Sequence, residues 1–175
     1  MNEVINAMLR RRSCRSFKPD TVPQELIEQV VEAGLFAASG GGRQGAVIVA
    51  VSDRETRDML SRLNSKYDDK KRPDPFYGAP VILAVLSDKS TNPTFMEDGS
   101  LAIGNMLLAA HTLGLGSCWI HRAKPVFEDE EAKALLKKLG LEGDYVGIGH
   151  CALGYAAEAD ERIPARKEGR VYRVY

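Results

Sequence analysis

Apolar positions along the chain switch between helical spacing and short continuous runs, and the switching predicts helices and buried strands in turn. Val4, Ile5, Met8 and Leu9 recur at helical spacing behind Asn2, a capping residue type, so a short first helix should run into the basic stretch Arg11-Arg12-Ser13-Cys14-Arg15. Pro23 suits the opening of a second helix, with Leu26, Ile27, Val30, Val31 and Phe36 as its buried stripe and Glu25, Glu28 and Glu32 toward water. That helix should stop at Ser39-Gly40-Gly41-Gly42-Arg43-Gln44-Gly45. Residues 46–51, continuous and β-branched, have the pattern of a central strand covered on both faces. Ser52 and Glu55 read as a capping box for a helix with Met59, Leu60 and Leu63 inside, and the polar residues 66–75 as an exposed loop.

Residues 80–86 predict a second buried strand, and Asp98 a cap for a helix over about 99–113 that is apolar nearly all round. Such a helix belongs in the centre of a core or at a subunit interface. Its polar exceptions, Asn105 and His111, fit satisfied buried hydrogen bonds. Gly114 and Gly116 should end it, and residues 117–121 then form a third strand. A helix beginning at Glu128 carries Leu135, Leu136 and Leu139 on its inner side, and residues 145–155 give a glycine-rich fourth strand. Val171, Tyr172, Val174 and Tyr175 predict a short last strand, free to add to the sheet edge of another subunit.

Composition narrows the function. A chain of 175 residues is most simply one domain, residues 1–175, with a single sizeable core. Lys plus Arg and Asp plus Glu both number 24, so no general attraction to nucleic acid or anionic membrane is expected. Cys14, Cys118 and Cys151 are odd in number and without paired spacing, which suits free thiols in a reducing compartment. The first residues lack the apolar run of a signal peptide and no stretch is long and apolar enough for a membrane span, so the expected location is cytoplasmic. Gly114-Leu115-Gly116 and Gly147-Ile148-Gly149 lack the context of a dinucleotide fingerprint, and His111, His121 and His150 are too scattered for a metal motif.

Two stretches remain as candidate chemistry. Three guanidinium groups and a hydroxyl within Arg11-Arg12-Ser13-Cys14-Arg15 can close on a phosphate from several sides, because each Arg offers a rigid fork of donors. A solvated helix end, where Arg is favoured by the helix dipole, accounts for the same residues equally well. The glycine run either lets backbone N–H groups approach a ligand or simply connects two elements. Trp119 is either core or a wall for a flat ring.

Taken together, Arg11-Arg12-Ser13-x-Arg15-x-Phe17, Ala38-Ser39-Gly40-x-x-Arg43-Gln44, Tyr77-Gly78-Ala79-Pro80, Leu113-Gly114-Leu115-Gly116-Ser117-Cys118-Trp119-Ile120 and the basic tail around Arg166 resemble the nitroreductase family of flavin enzymes, in the family's order over nearly the whole chain. The resemblance implies an α+β fold, a mixed sheet of about five strands surrounded by helices. It also implies an intertwined homodimer that exchanges C-terminal strands and holds FMN at its two shared interfaces. Arg11, Arg12 and Ser13 would hold the FMN phosphate, with Arg166 closing it. Arg15 would sit near N1 and O2 of the ring, where negative charge collects on reduction. Ser39, Gly40, Gly42 and Gln44 would line the ribityl chain and ring edge from the partner subunit, although Gly42 stands where many relatives carry asparagine. Trp119 and Ile120 would cover one ring face, with the backbone N–H of His121 toward N5.

The implied reaction is ping-pong. NADH or NADPH gives hydride to flavin N5, and a nitroaromatic, quinone or similar acceptor then takes it, with no catalytic side chain required. Residues 66–77 would form the lid. Competing readings are a flavin-binding carrier or sensor without turnover, and a reductive dehalogenase-like or flavin-modifying relative.

Overall fold

The structure, a computed structural model, describes residues 2–158 and 162–175. Four strands, β1 (Ala46–Val51), β2 (Val81–Asp88), β3 (Gly116–Ile120) and β4 (Tyr145–Gly154), form one sheet in the order β1-β2-β4-β3, every pair antiparallel. β2 sits inside because Val81 to Leu86 are apolar without interruption, and a strand covered on both faces needs that pattern. Its alternate residues divide cleanly. Ile82, Ala84 and Leu86 join a cluster with Leu60, Leu63, Phe76, Val126, Phe127 and Leu136, while Val81, Leu83 and Val85 join one with Ile27, Val30, Ile103 and Met106. The first face is covered by α3 (Arg54–Lys66), α5 (Ala123–Phe127) and α6 (Glu130–Lys138), the second by α2 (Gln24–Leu35) and α4 (Phe95–Thr112). The α+β class therefore holds.

Several local expectations change. β1 is an edge strand rather than a central one, with only Val49 and Val51 buried, so its continuous apolar run does not mark a place inside the sheet. The sheet has four strands, and the expected fifth, at 171–175, is irregular and exposed. α3 is capped by Asp53, whose carboxylate accepts the Thr56 N–H at 2.9 Å, not by Ser52 with Glu55. Asp98 lies inside α4 rather than capping it. The helix expected from Glu128 is α6, which Asp129 caps, although Leu139 is exposed just beyond it; the short α5 before it was not expected. The loop over 66–75 is partly interior: Asp68 is buried and pairs with Arg72 and Arg122.

The first helix, α1 (Glu3–Arg10), forms as expected, with Asn2 Oδ1 accepting the Val4 N–H at 2.9 Å. None of its residues is buried, however, and Val4, Ile5, Met8 and Leu9 are all exposed. At the end of α2, Phe36 is 82% exposed instead of closing the buried stripe. Among the described residues no helix is long and apolar enough to cross a membrane.

Candidate functional site

The segment after α1 lies along the free edge of β3. Ser13 bridges Ser117 in parallel, the Cys14 N–H donates to the Ser117 carbonyl at 2.9 Å, and Phe17 bridges Ala156. This fixes the direction in which Arg11, Arg12 and Arg15 leave the backbone. The tail that follows β4 returns to the same place, so Arg162, Pro164 and Arg166 face Arg11, Arg12, Ser13 and Arg15 across a groove of about 560 Å³. Among the described residues lining it there is no carboxylate. The arginines of the two ends of the chain, 150 residues apart in sequence, are thus brought together as expected. Arg162 is an addition, which the sequence placed just outside the basic tail.

The arginines are not equivalent. Arg12 donates from Nε to the Arg162 carbonyl at 3.0 Å, from Nη2 to the Leu9 carbonyl at 2.9 Å, and from Nη1 to the Arg11 carbonyl. It closes the C-terminal end of α1 and ties the tail down, so much of its donor capacity is already committed. Arg11 Nη1 is buried and has no hydrogen-bond partner among the described residues. A buried unpartnered cationic donor costs free energy that an anion would recover. Of the two adjacent arginines, Arg11 is the one with a bond left to make.

The glycine run lies elsewhere. Residues 40–42 make one 3₁₀ turn after α2, with Gly41 and Gly42 at positive φ and the Gln44 N–H donating to Ser39 Oγ at 3.0 Å. The Gly40 N–H donates to Asp98 Oδ1 at 3.0 Å, at the N-terminal end of α4. Burial opposes ionisation of Asp98, but the Gly40 N–H, Asn92 and Thr94 hold its carboxyl below the usual carboxylate range. The arginines gather beside His111, at the other end of the same helix. From Asp98 to His111 is thirteen residues, which at 1.5 Å rise each is roughly 20 Å. Within one chain, Ser39, Gly40, Gly42 and Gln44 are therefore separated from Arg11, Ser13, Arg15 and Arg166. Gly42 and Gln44 are exposed and turned to solvent.

β3 supplies the remaining candidates, with one correction. Trp119 packs with Ile103 and Gly149 on the α4 face, whereas Ile120 is buried on the opposite face among Val126 and Phe127. Successive side chains of a strand point to opposite faces, so the two cannot both cover one ring face. Trp119, only partly buried, is the one left with accessible surface. His121 follows the strand, and its carbonyl accepts from Asn64 Nδ2 at 2.9 Å; Asn64 Oδ1 in turn accepts from Arg122 Nε at 3.1 Å. Arg122 holds a left-handed φ of 75° and pairs with Asp68, so a buried network sets the backbone just after Ile120. The sequence reading missed this group, although Asn64 and Asp68 stand one helical turn apart.

The cysteines are unsuited to nucleophilic work. Burial raises Cys14 and Cys118, the latter despite nearby Arg15 and Arg11, and pushes Cys151 up to about 12.

Three comparisons bear on this arrangement. The sequence pattern of the nitroreductase family matches residues 8–155. An Archaeoglobus fulgidus protein that bears the name NADH dehydrogenase/NAD(P)H nitroreductase is 31% identical over 172 residues, covering 93% of this chain and 94% of its own. A Bacteroides fragilis nitroreductase crystallised with bound FMN superposes with a TM-score of 0.86 at 29% identity, over the full length of both chains. A Desulfitobacterium hafniense nitroreductase shares the fold at a TM-score of 0.88 and 23% identity, again over both full lengths. The two termini that enclose the arginine groove, the edge strand that orients it and the match over residues 8–155 give one conclusion: this chain belongs to the nitroreductase family.

Proposed function

We propose that the protein is an FMN-dependent oxidoreductase that takes electrons from NADH or NADPH and passes them to small acceptors such as nitroaromatics or quinones, as a homodimer. One observation carries the reading: Arg11, whose buried Nη1 has no hydrogen-bond partner among the described residues, lines a groove whose other described lining is Ser13, Pro164 and four more arginines, with no acid. A phosphate monoester of about two negative charges meets that donor set, because guanidinium forks match phosphate oxygens. The residues present therefore fit FMN, as do the family and the FMN bound to the Bacteroides relative.

Arg11, Ser13 and Arg166 hold the phosphate, and Arg12 fixes the tail that carries Arg166. Arg15 supplies positive charge at the pyrimidine edge of the ring, and Trp119 contributes the apolar contact from β3. Bound FMN supplies hydride acceptance and donation, so the chain needs no side chain as acid or base. Its residues position the ring and keep one face open. Ser39, Gly40 and Gln44 of the partner subunit complete the ring edge, since the same residues of one chain are roughly 20 Å from its own arginines. The exposed stripe Val4, Ile5, Met8 and Leu9 on α1, with Leu101 on α4, gives the second copy an apolar surface to cover.

The purified protein is expected to be yellow, to release FMN on denaturation, and to be bleached by NADH or NADPH in the absence of oxygen. Bleaching by dithionite alone would reduce the reading to a flavin carrier, and colourless protein that takes up no FMN would end it.

A further inference from the structure

Beyond the groove assigned to the flavin phosphate lies a second, on the α4 side of Ser13. It encloses about 730 Å³ and is lined by Arg10, Arg12, Arg15, His111, Glu158 and Arg162 among others. The two grooves share Arg12, Ser13, Arg15 and Arg162 and so meet along one wall, while Arg10 and His111 line the second alone. Arg10 is exposed at the last residue of α1, and none of the ion pairs among the described residues involves it. His111 sits in the last turn of α4, where partial burial, with Arg11, Arg10 and Arg12 beside it, holds it below its ordinary pKa.

A cation such as Arg10 at a helix C-terminus needs no ligand to explain it. The convergence does. Arg10, Arg12, Arg15 and His111, drawn from α1, the segment after it and α4, come together along one groove. One flavin phosphate, bound on the far side of the shared wall, does not occupy Arg10 or His111.

We propose that this second groove receives the 2′-phosphate of NADPH, with Arg10 and His111 as its distinguishing contacts, so that the protein selects NADPH over NADH. The proposal rests on the flavin reading above. The 2′-phosphate is the one group by which NADPH differs from NADH, and it is a monoester of about two charges, the species that guanidinium forks bind best. Arg15 borders both grooves, so a dinucleotide whose nicotinamide reaches the flavin ring runs past the shared wall toward Arg10. NADH, with a hydroxyl in that position, gains nothing from either residue.

The test uses the FMN-loaded protein, with flavin content measured for every variant, and compares R10A, R10E and H111Q with the wild type on both nucleotides. The wild type should favour NADPH in kcat/KM by roughly tenfold or more, the worth of one or two charge-assisted hydrogen bonds. R10E should remove most of that preference through KM for NADPH, with kcat retained, and H111Q part of it. Adenosine 2′-phosphate should compete with NADPH in the wild type and much less in R10E. Equal losses with both nucleotides, no change with either, or loss of FMN on mutating Arg10 would each overturn the assignment. If the protein takes up no FMN, the flavin reading fails separately. Calorimetric binding of adenosine 2′-phosphate against adenosine, in wild type and R10E, then still decides whether the groove binds this phosphate.

Discussion

At the scale of single residues, neighbours in sequence have different work. Arg11 and Arg12 are adjacent arginines, yet Arg12 spends its donors on three carbonyls while Arg11 keeps a buried donor with no partner among the described residues. Arg11→Gln should therefore weaken FMN binding by roughly 10- to 100-fold, the value of a charged hydrogen bond in a desolvated site. Arg12→Gln should act mainly on thermal stability. Fluorescence titration with FMN checks both; equal losses of affinity would remove the distinction. His150 is a second case. It is fully buried, tilted against Phe76 with centroids 5.2 Å apart and stacked on Phe127 at 6.0 Å, with no well-formed hydrogen bond at either ring nitrogen among the described residues. Burial lowers its pKa to about 4, with Arg122 adding to this against a weaker pull from the Ile120 backbone. Because the unfolded chain takes up the proton near pH 6.5 and the folded one does not, the stability tied to neutral His150 is complete above pH 6.5. It is lost as pH falls from there to about 4, by about 3 kcal/mol in all. Urea titrations of wild type and His150→Leu at pH 7 and pH 5 should show the wild type losing more on acidification. Parallel losses would refute the assignment.

At the scale of elements, close approach decides what substitution is tolerated. β4 passes α5 so tightly that a Cβ on Gly147 would lie 2.4 Å from the Ala123 carbonyl oxygen, where backbone meets backbone and neither can step aside. The register of β2 against β4 also shifts beside it, between Val85 and Leu86. Gly147→Ala should cost about 3 kcal/mol, read as a lower urea midpoint; a loss under about 0.5 kcal/mol would mean that α5 is free to move. The same element-level geometry separates Trp119 from Ile120. Both were legible as strand residues, and strand periodicity alone would have put them on opposite faces. The edge position of β1 was not legible, because an apolar run of six looks alike in the middle of a sheet and at an edge that something else covers.

At the scale of the whole molecule, the exposed apolar face of α1 and the roughly 20 Å between arginines and glycine turn ask for a second copy. Leu101→Lys on α4 should leave the isolated chain folded, since Leu101 is already half exposed, but should shift sedimentation from dimer to monomer and release FMN. A variant that sediments as a dimer and keeps its flavin would take this face out of the interface. Shortening the chain after Gly169 tests the tail in the same way, because residues 170–175 form no strand pairing among the described residues.

Periodicity, capping residues and the glycine and proline punctuation determined the element order, the α+β class and the amphipathic α1, since these depend on neighbours within a few turns of chain. The residue motifs likewise announced arginines at both ends. The packing of distant segments decided that those ends meet at the edge of β3, that Arg11 rather than Arg12 has a buried donor without a partner among the described residues, and that the glycine turn lies at the opposite end of α4 from these arginines. Each of these depends on contacts between segments far apart in sequence, whose geometry is set by how the sheet and α4 pack and leaves no local mark on the chain.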